Sequence, residues 1–141
     1  MDENVESEII DVTPMGAVRM TKSDTWKLDP NHSDPRRRQR DAVRRYFEYK
    51  NKVVSSCNEC GYCLGETLDI IFYLPMPNSW SKKKKEAHQF KPHQSRPDID
   101  NLLKAFMDAL KKEDSDIWKV TAEKRYSYTG FILIKKENIV V

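Results

Sequence analysis

Positions 66–74 read ETLDIIFYL, in which Leu68, Ile70, Phe72 and Leu74 alternate with Thr67, Asp69, Ile71 and Tyr73. A period of two in a β-branched and aromatic run predicts a strand with one face in a core. The stretch VESEIIDV (5–12) predicts a shorter strand, closed at Thr13-Pro14 because proline has no amide to donate. Near the C-terminus, DIWKVTAEKRYS and GFILIKK predict two further strands, joined around Gly130 as an antiparallel hairpin. A longer period governs three other segments. Ser33-Asp34-Pro35 has the form of a helix start, and Val43, Tyr46, Phe47 and Val54 follow at helical spacing, predicting a helix from about Pro35 to about Val53. Ser81 is placed to cap a short basic helix through KKKKEAHQ. After Pro97, which biases Arg96 toward extended backbone, a helix should open at about Asp98. At about 100° per residue it sends Leu102, Leu103, Phe106, Met107 and Leu110 to one side and Asp100, Asn101, Lys104 and Asp108 to the other. The stretch MGAVRMTKSDTWKLDPNHSDP has no sustained period and reads as a long loop, a kind of segment that often carries function. Strands and helices in this alternation point to an α/β (α+β) domain.

At 141 residues the chain is long enough for a single domain, 1–141, with a real core, preceded by a flexible acidic terminus over 1–8. A net charge of +3 says little about partners, but the distribution says more. Arginines concentrate in 36–45 and lysines at Lys82, Lys83, Lys84 and Lys85, framing an acidic motif between 98 and 116. Each run alone is an ordinary solvated face, whereas the pair suits a polyanion whose phosphates need counter-charge. No apolar stretch reaches spanning length and no export signal opens the chain, so the expectation is a soluble, cytoplasmic protein without a membrane partner. Cys57, Cys60 and Cys63 are an odd, closely spaced set. They do not make a disulfide framework, and they fall short of the four ligands of a closed zinc site. They read as reduced cysteines in a turn.

The chemistry concentrates in RPDIDNLLKAFMDAL (96–110) and the EDSDIW that follows. One N-cap suffices for a helix, so Asp98 and Asp100 together are more acid than folding requires. The helix dipole reduces, without cancelling, the repulsion between two such carboxylates, and a divalent cation relieves the rest. Oxygen donors with no cysteine or histidine beside them suit magnesium, or manganese as a substitute, rather than zinc. Lys104, one turn past Asp100, is then placed to neutralise charge on a phosphodiester during displacement. For this motif taken alone, an ordinary acidic helix start with an Asp100/Lys104 surface pair is the better account.

The combination of segments decides between them. FYLPMPNSWSKKKK, KPHQSRPDIDNLLKAFMDAL and EDSDIW with EKRY after it, together with the earlier PMGAVRM, resemble the RusA family of Holliday junction resolvases found in prophages and bacteria, over most of residues 9–135. The resemblance implies a small mixed sheet packed against helices, a homodimer, and magnesium-dependent cleavage of four-way DNA junctions in recombination and repair. It implies that Asp98 and Asp100 are metal ligands and that Lys104 is the catalytic lysine of the family's DxDNxxK pattern. The third carboxylate is then Asp114, the second acid of Glu113-Asp114, because Ser115, Ile117 and Trp118 follow in the family's order. Asp116 is the rival for that place. Candidate DNA contacts are Arg19, Arg36, Arg37, Arg38, Lys82, Lys83, Lys84, Lys85 and Arg96. A non-catalytic nucleic-acid-binding protein that uses only the basic runs, and a magnesium-dependent ribonuclease, are the alternatives. The cysteines are no part of the family pattern.

Overall fold

The alternating run at 66–74 is the central strand of a four-stranded sheet in the computed structural model, which describes residues 6–110 and 114–136. In chain order the elements are β1 (Glu6–Ile10), α1 (Asp41–Cys60), β2 (Thr67–Pro75), α2 (Lys82–His88), α3 (Ile99–Leu110), β3 (Lys119–Ser127) and β4 (Phe131–Lys136). Short 3-10 turns occupy Lys22–Thr25 and Asp114–Asp116. The sheet is mixed, in the order β1-β4-β2-β3: β4 lies antiparallel between β1 and β2, and β3 runs parallel to β2 on its other side. Glu6–Glu8, expected within a flexible terminus, instead form the first rungs of β1, in register with Lys136, Lys135 and Ile134.

α1 and α3 pack together and on one sheet face. Ile10, Leu68, Ile70, Phe72, Leu74, Ile132 and Ile134 meet Tyr46, Tyr49, Val53 and Cys57 of α1 and Leu102, Ala105, Phe106 and Ala109 of α3 in one buried core. The opposite face is also apolar at its centre, where Ile71 is buried and Tyr73 stacks on Phe131 with ring centroids 4.3 Å apart.

Two expectations fail here. The strands DIWKVTAEKRYS and GFILIKK do not form a hairpin, because β2 lies between β3 and β4. β2 buries Ile71 and Phe72 in succession, so it needs neighbours on both sides; apolar β4 takes one, and charged β3 suits an edge. The short link at 128–130 crosses close to Thr13, where a Cβ on Gly130 would lie 2.6 Å from Thr13 Cγ2. The first helix is also displaced, running from Asp41 to Cys60 rather than from Pro35 to Val53. The Ser33-Asp34-Pro35 signal is used for a turn instead: Asp34 Oδ1 accepts the Arg36 amide at 2.9 Å and the Asp34 carbonyl that of Arg37 at 3.0 Å. At its far end the helix stops at Gly61, whose φ of 75° is the left-handed conformation that glycine takes without steric cost.

The shift moves the cysteines and the apolar face. Cys57 is not a turn residue but part of the core, 2% exposed, with burial pushing its thiol up to about 11. Cys60 ends the helix and Cys63 is exposed in the following loop. Tyr49, Val53 and Cys57 take the inward places, leaving Phe47 and Val54 exposed. Among the described residues no helix is long and apolar enough to cross a membrane.

Candidate active site

The approach to α3 is held along the open edge of β3. Phe90 donates its amide to the Tyr126 carbonyl at 2.8 Å, Tyr126 returns one to Lys91 at 3.0 Å, and His93 donates to Lys124 at 3.0 Å. These bonds lay residues 90–93 antiparallel beside β3 and cover its exposed backbone. His93 is buried against the Tyr126 ring, 4.5 Å between centroids, and its pKa is lowered by burial and then by the charge of Lys124. Lys124 does more than repel a proton. Its Nζ donates to the Ser95 carbonyl at 2.7 Å and to the Pro97 carbonyl at 2.9 Å, so one side chain fixes the residues just ahead of Asp98. From the other side the Ala17 amide donates to the Asn101 carbonyl at 3.2 Å, and Gly16 passes so near that a Cβ there would be 3.3 Å from Pro97 Cβ.

Between these holds, Asp98 opens α3, its carbonyl accepting the Leu102 amide at 3.1 Å. Its exposed carboxylate makes no hydrogen bond or ion pair with a described residue. Asp100, one residue into the helix proper, is also exposed and spends only Oδ1, on the Asn101 amide at 2.9 Å. Both carboxylates stand at the positive end of the helix dipole with lone pairs to spare, a donor set that fits a hard divalent cation.

Lys104 does not pair with Asp100. Its Nζ lies 3.8 Å from Asp108 Oδ1, while Asp108 Oδ2 accepts a hydrogen bond from Tyr46 of α1 at 3.0 Å. Burial, and then the hydrogen bond to Asp108, raise the pKa of Tyr46, which keeps the phenol a donor. α1 thus orients the carboxylate that holds the lysine. Asp108 was visible in the sequence only as a polar-face residue, and Lys124 and Tyr46 had no signal of a role, because each acts through a contact between elements.

The turn Asp114–Asp116 comes after the far end of α3, a helix of 12 residues and hence about 18 Å long. The Asp114 side chain lies outside the described residues, and Asp116 is exposed. Among the described residues no three Asp, Glu, His or Cys side chains gather as a metal site, the three cysteines included. Asp98 and Asp100 stand two residues apart at the start of α3, and no described contact joins them to each other or to a third carboxylate.

The basic candidates divide by element. Lys82, Lys83 and Lys84 are exposed on α2, Lys85 is half-buried, and Ser81 Oγ caps the helix by accepting the Lys84 amide at 3.2 Å. Lys84 sits over the Trp80 ring at 4.3 Å, and Trp80 meets Tyr126 at 5.2 Å, so packed rings link α2 to the segment leading into α3. Arg19, Arg36, Arg37, Arg38 and Arg96 are exposed. Arg40 is not available in the same way, being bound to buried Asp24 at 2.7 Å.

Comparison with curated protein sequences finds no match. The family profile described as Endodeoxyribonuclease RusA matches residues 32–135, a span that takes in the three helices, all of the acidic motif, β2, β3 and β4 up to Lys135, though not β1, and on that extent the chain belongs to the RusA family of endodeoxyribonucleases.

Proposed function

We propose that the protein is a magnesium-dependent endonuclease that resolves four-way DNA junctions in recombination and repair, acting as a homodimer of single-domain chains. The observation that carries this reading is the pair of carboxylates, Asp98 and Asp100, left without sufficient protein partners at the N-terminus of α3 in a chain of this family. Asp98, Asp100 and Asp114 would hold the cation, with manganese as a substitute. When bound, it supplies charge neutralisation at the phosphodiester and makes water a better nucleophile. The chain's own groups do the rest. Lys124 fixes the entry to α3 through two carbonyls, which holds Asp98 and Asp100 in register with the helix. Lys104 rests its Nζ near Asp108, within one helical turn of Asp100, where it can stabilise the developing negative charge. Arg19, Arg36, Arg37, Arg38, Arg96 and the α2 lysines bind phosphates and set position without reading sequence. Two copies would place two such sites on opposed strands of a junction.

The test compares a four-way junction, a fork and a linear duplex of matched sequence under equal salt and magnesium. Magnesium-dependent incision concentrated on the junction supports the reading. Junction binding in chelator with no cleavage on adding magnesium or manganese would instead identify a binding protein that uses its basic runs alone.

A further inference from the structure

Trp26 is 78% exposed, and its ring makes no ring contact among the described residues. A large aromatic left in water is unusual enough to require a reason, especially on a segment that is firmly held. Arg40 closes a two-point bond on Asp24, Nε to Oδ1 at 2.9 Å and Nη2 to Oδ2 at 2.7 Å. Arg40 also donates to the Arg19 carbonyl at 3.2 Å, and the Thr21 amide donates to Asp24 Oδ2 at 2.7 Å. Farther out, the Gln39 amide donates to the Asp29 carbonyl at 3.0 Å, and Arg38 Nε to the His32 carbonyl at 3.0 Å. Trp26 is therefore presented to solvent by a braced loop.

Beside the ring lies an open cavity of about 560 Å³, lined by Trp26, exposed Leu28, half-buried His32, Lys27, Arg36 and Arg37, with one acid, Asp29, among them. Its size is within the range of small-ligand sites. The lining offers a π-face, an aliphatic side chain and an excess of cationic groups over acid, the Arg36 side chain being 92% exposed while its Nε lies 3.5 Å from Asp34 Oδ1. A flat aromatic group bearing a phosphate matches both features. A second copy of this chain fits less well, since a two-fold contact here would set Lys27, Arg36 and Arg37 against their own kind. The loop also starts at the proposed active site, because Ala17 is bonded to Asn101 of α3.

We infer that the Trp26 cavity is a stacking site for an unpaired nucleobase of branched DNA, with Arg36 and Arg37 on its phosphate. This rests on the nuclease reading for its substrate and shares Arg36 and Arg37 with it, while Trp26, Leu28 and the braced loop are its own support. It gives the loop a task the acidic site cannot perform: recognising a strand that has left the duplex stack. The braced backbone means that little ordering accompanies binding.

The experiment uses the full chain in calcium or chelator, with 2-aminopurine placed at the branch point of a four-way junction or inside a matched duplex. Parent, Trp26→Phe and Trp26→Ala are compared after circular dichroism shows equal folding. The expected result is quenching of the branch-point probe by parent and Trp26→Phe. With Trp26→Ala, the quench should be lost and junction affinity should fall about 5- to 150-fold, the range of a lost base stack, with duplex affinity unchanged. Parent-like junction binding and quenching by Trp26→Ala overturns the inference, even if the enzyme cuts junctions. Equal loss on both substrates overturns it in favour of a general phosphate-contact role. Loss of self-association on sedimentation assigns the ring to a second copy and overturns it too. Selective loss in a chain that never cleaves would support the stacking site and refute the nuclease; failure of the parent to bind any DNA would refute both.

Discussion

Asp98 and Asp100 have little to do within the fold, the one without a described partner and the other with a single bond to the Asn101 amide. Replacing either with asparagine should cost almost nothing in thermal stability yet abolish cleavage, while junction binding is kept or tightens because negative charge near DNA is removed. Wild-type cleavage by both variants would end the proposed mechanism. Asp114→Asn should behave as they do; if Asp116→Asn is dead and Asp114→Asn active, the third carboxylate is Asp116. Lys124 acts at one remove. Losing its two hydrogen bonds should lower stability by about 1–3 kcal/mol. In Lys124→Ala the magnesium concentration for half-maximal rate should rise several-fold, and Lys124→Arg should recover part of it. A magnesium titration identical to the parent's, alongside reduced stability, would leave Lys124 with a purely structural part.

Elements in this protein are positioned by a few polar clamps as much as by the core. Asp24, 1% exposed, binds Arg40 at the start of α1, and the Arg40 hydrogen bonds, followed by that of the Thr21 amide, hold its carboxyl far below the ordinary 3.8. A carboxyl lowered by folding contributes stability at every pH above its unfolded value, and the contribution fades as pH falls from there toward the folded value. The difference in urea midpoint between parent and Asp24→Asn should therefore be constant from about pH 8 to pH 5 and shrink below about pH 4. A gap unchanged at pH 3 would remove the charge from the explanation. In α1, Cys57→Ser puts a hydroxyl into the packed core and should destabilise by about 1–3 kcal/mol in denaturant, whereas Cys63→Ser at the exposed loop should be near neutral. Equal effects would contradict the helical placement of Cys57.

Across the whole molecule, the charges lie on separate supports: carboxylates on α3, lysines on α2 and arginines on the 16–40 loop and near Pro97. Such a surface binds a polyanion through counterion release, so each phosphate contact steepens the salt dependence by about 0.9. Changing Lys82, Lys83, Lys84 and Lys85 together to alanine should weaken binding to junction, fork and duplex alike and flatten the plot of log K against log salt by up to about 3.6 units. An unchanged slope would return α2 to a solvated face. This variant probes affinity shared by all DNA, in contrast to Trp26, whose loss should discriminate between substrates.

Local signals decided much of this protein. The alternation at 66–74 made β2, Ser81 capped α2, and Pro97-Asp98 opened α3, whose buried line runs through Leu102, Ala105, Phe106 and Ala109 with Leu103, Met107 and Leu110 only partly buried beside it. These succeed because the period of side chains and the valence of a cap are properties of a few adjacent residues. What failed was what depended on competition between distant parts. Ser33-Asp34-Pro35 has the chemistry of a helix cap, but Asp34 spends it on a turn, and α1 starts only at Asp41, after an extended Arg40 that is bound to Asp24. β3 and β4 are adjacent in sequence around Gly130, yet β2, apolar on both faces, gains more by separating them than they gain by pairing. The carboxylates of the candidate site were legible as a motif. Their setting was not, because Lys124, Asp108 and Tyr46 reach it from three elements, and tertiary packing alone determines which side chains meet there.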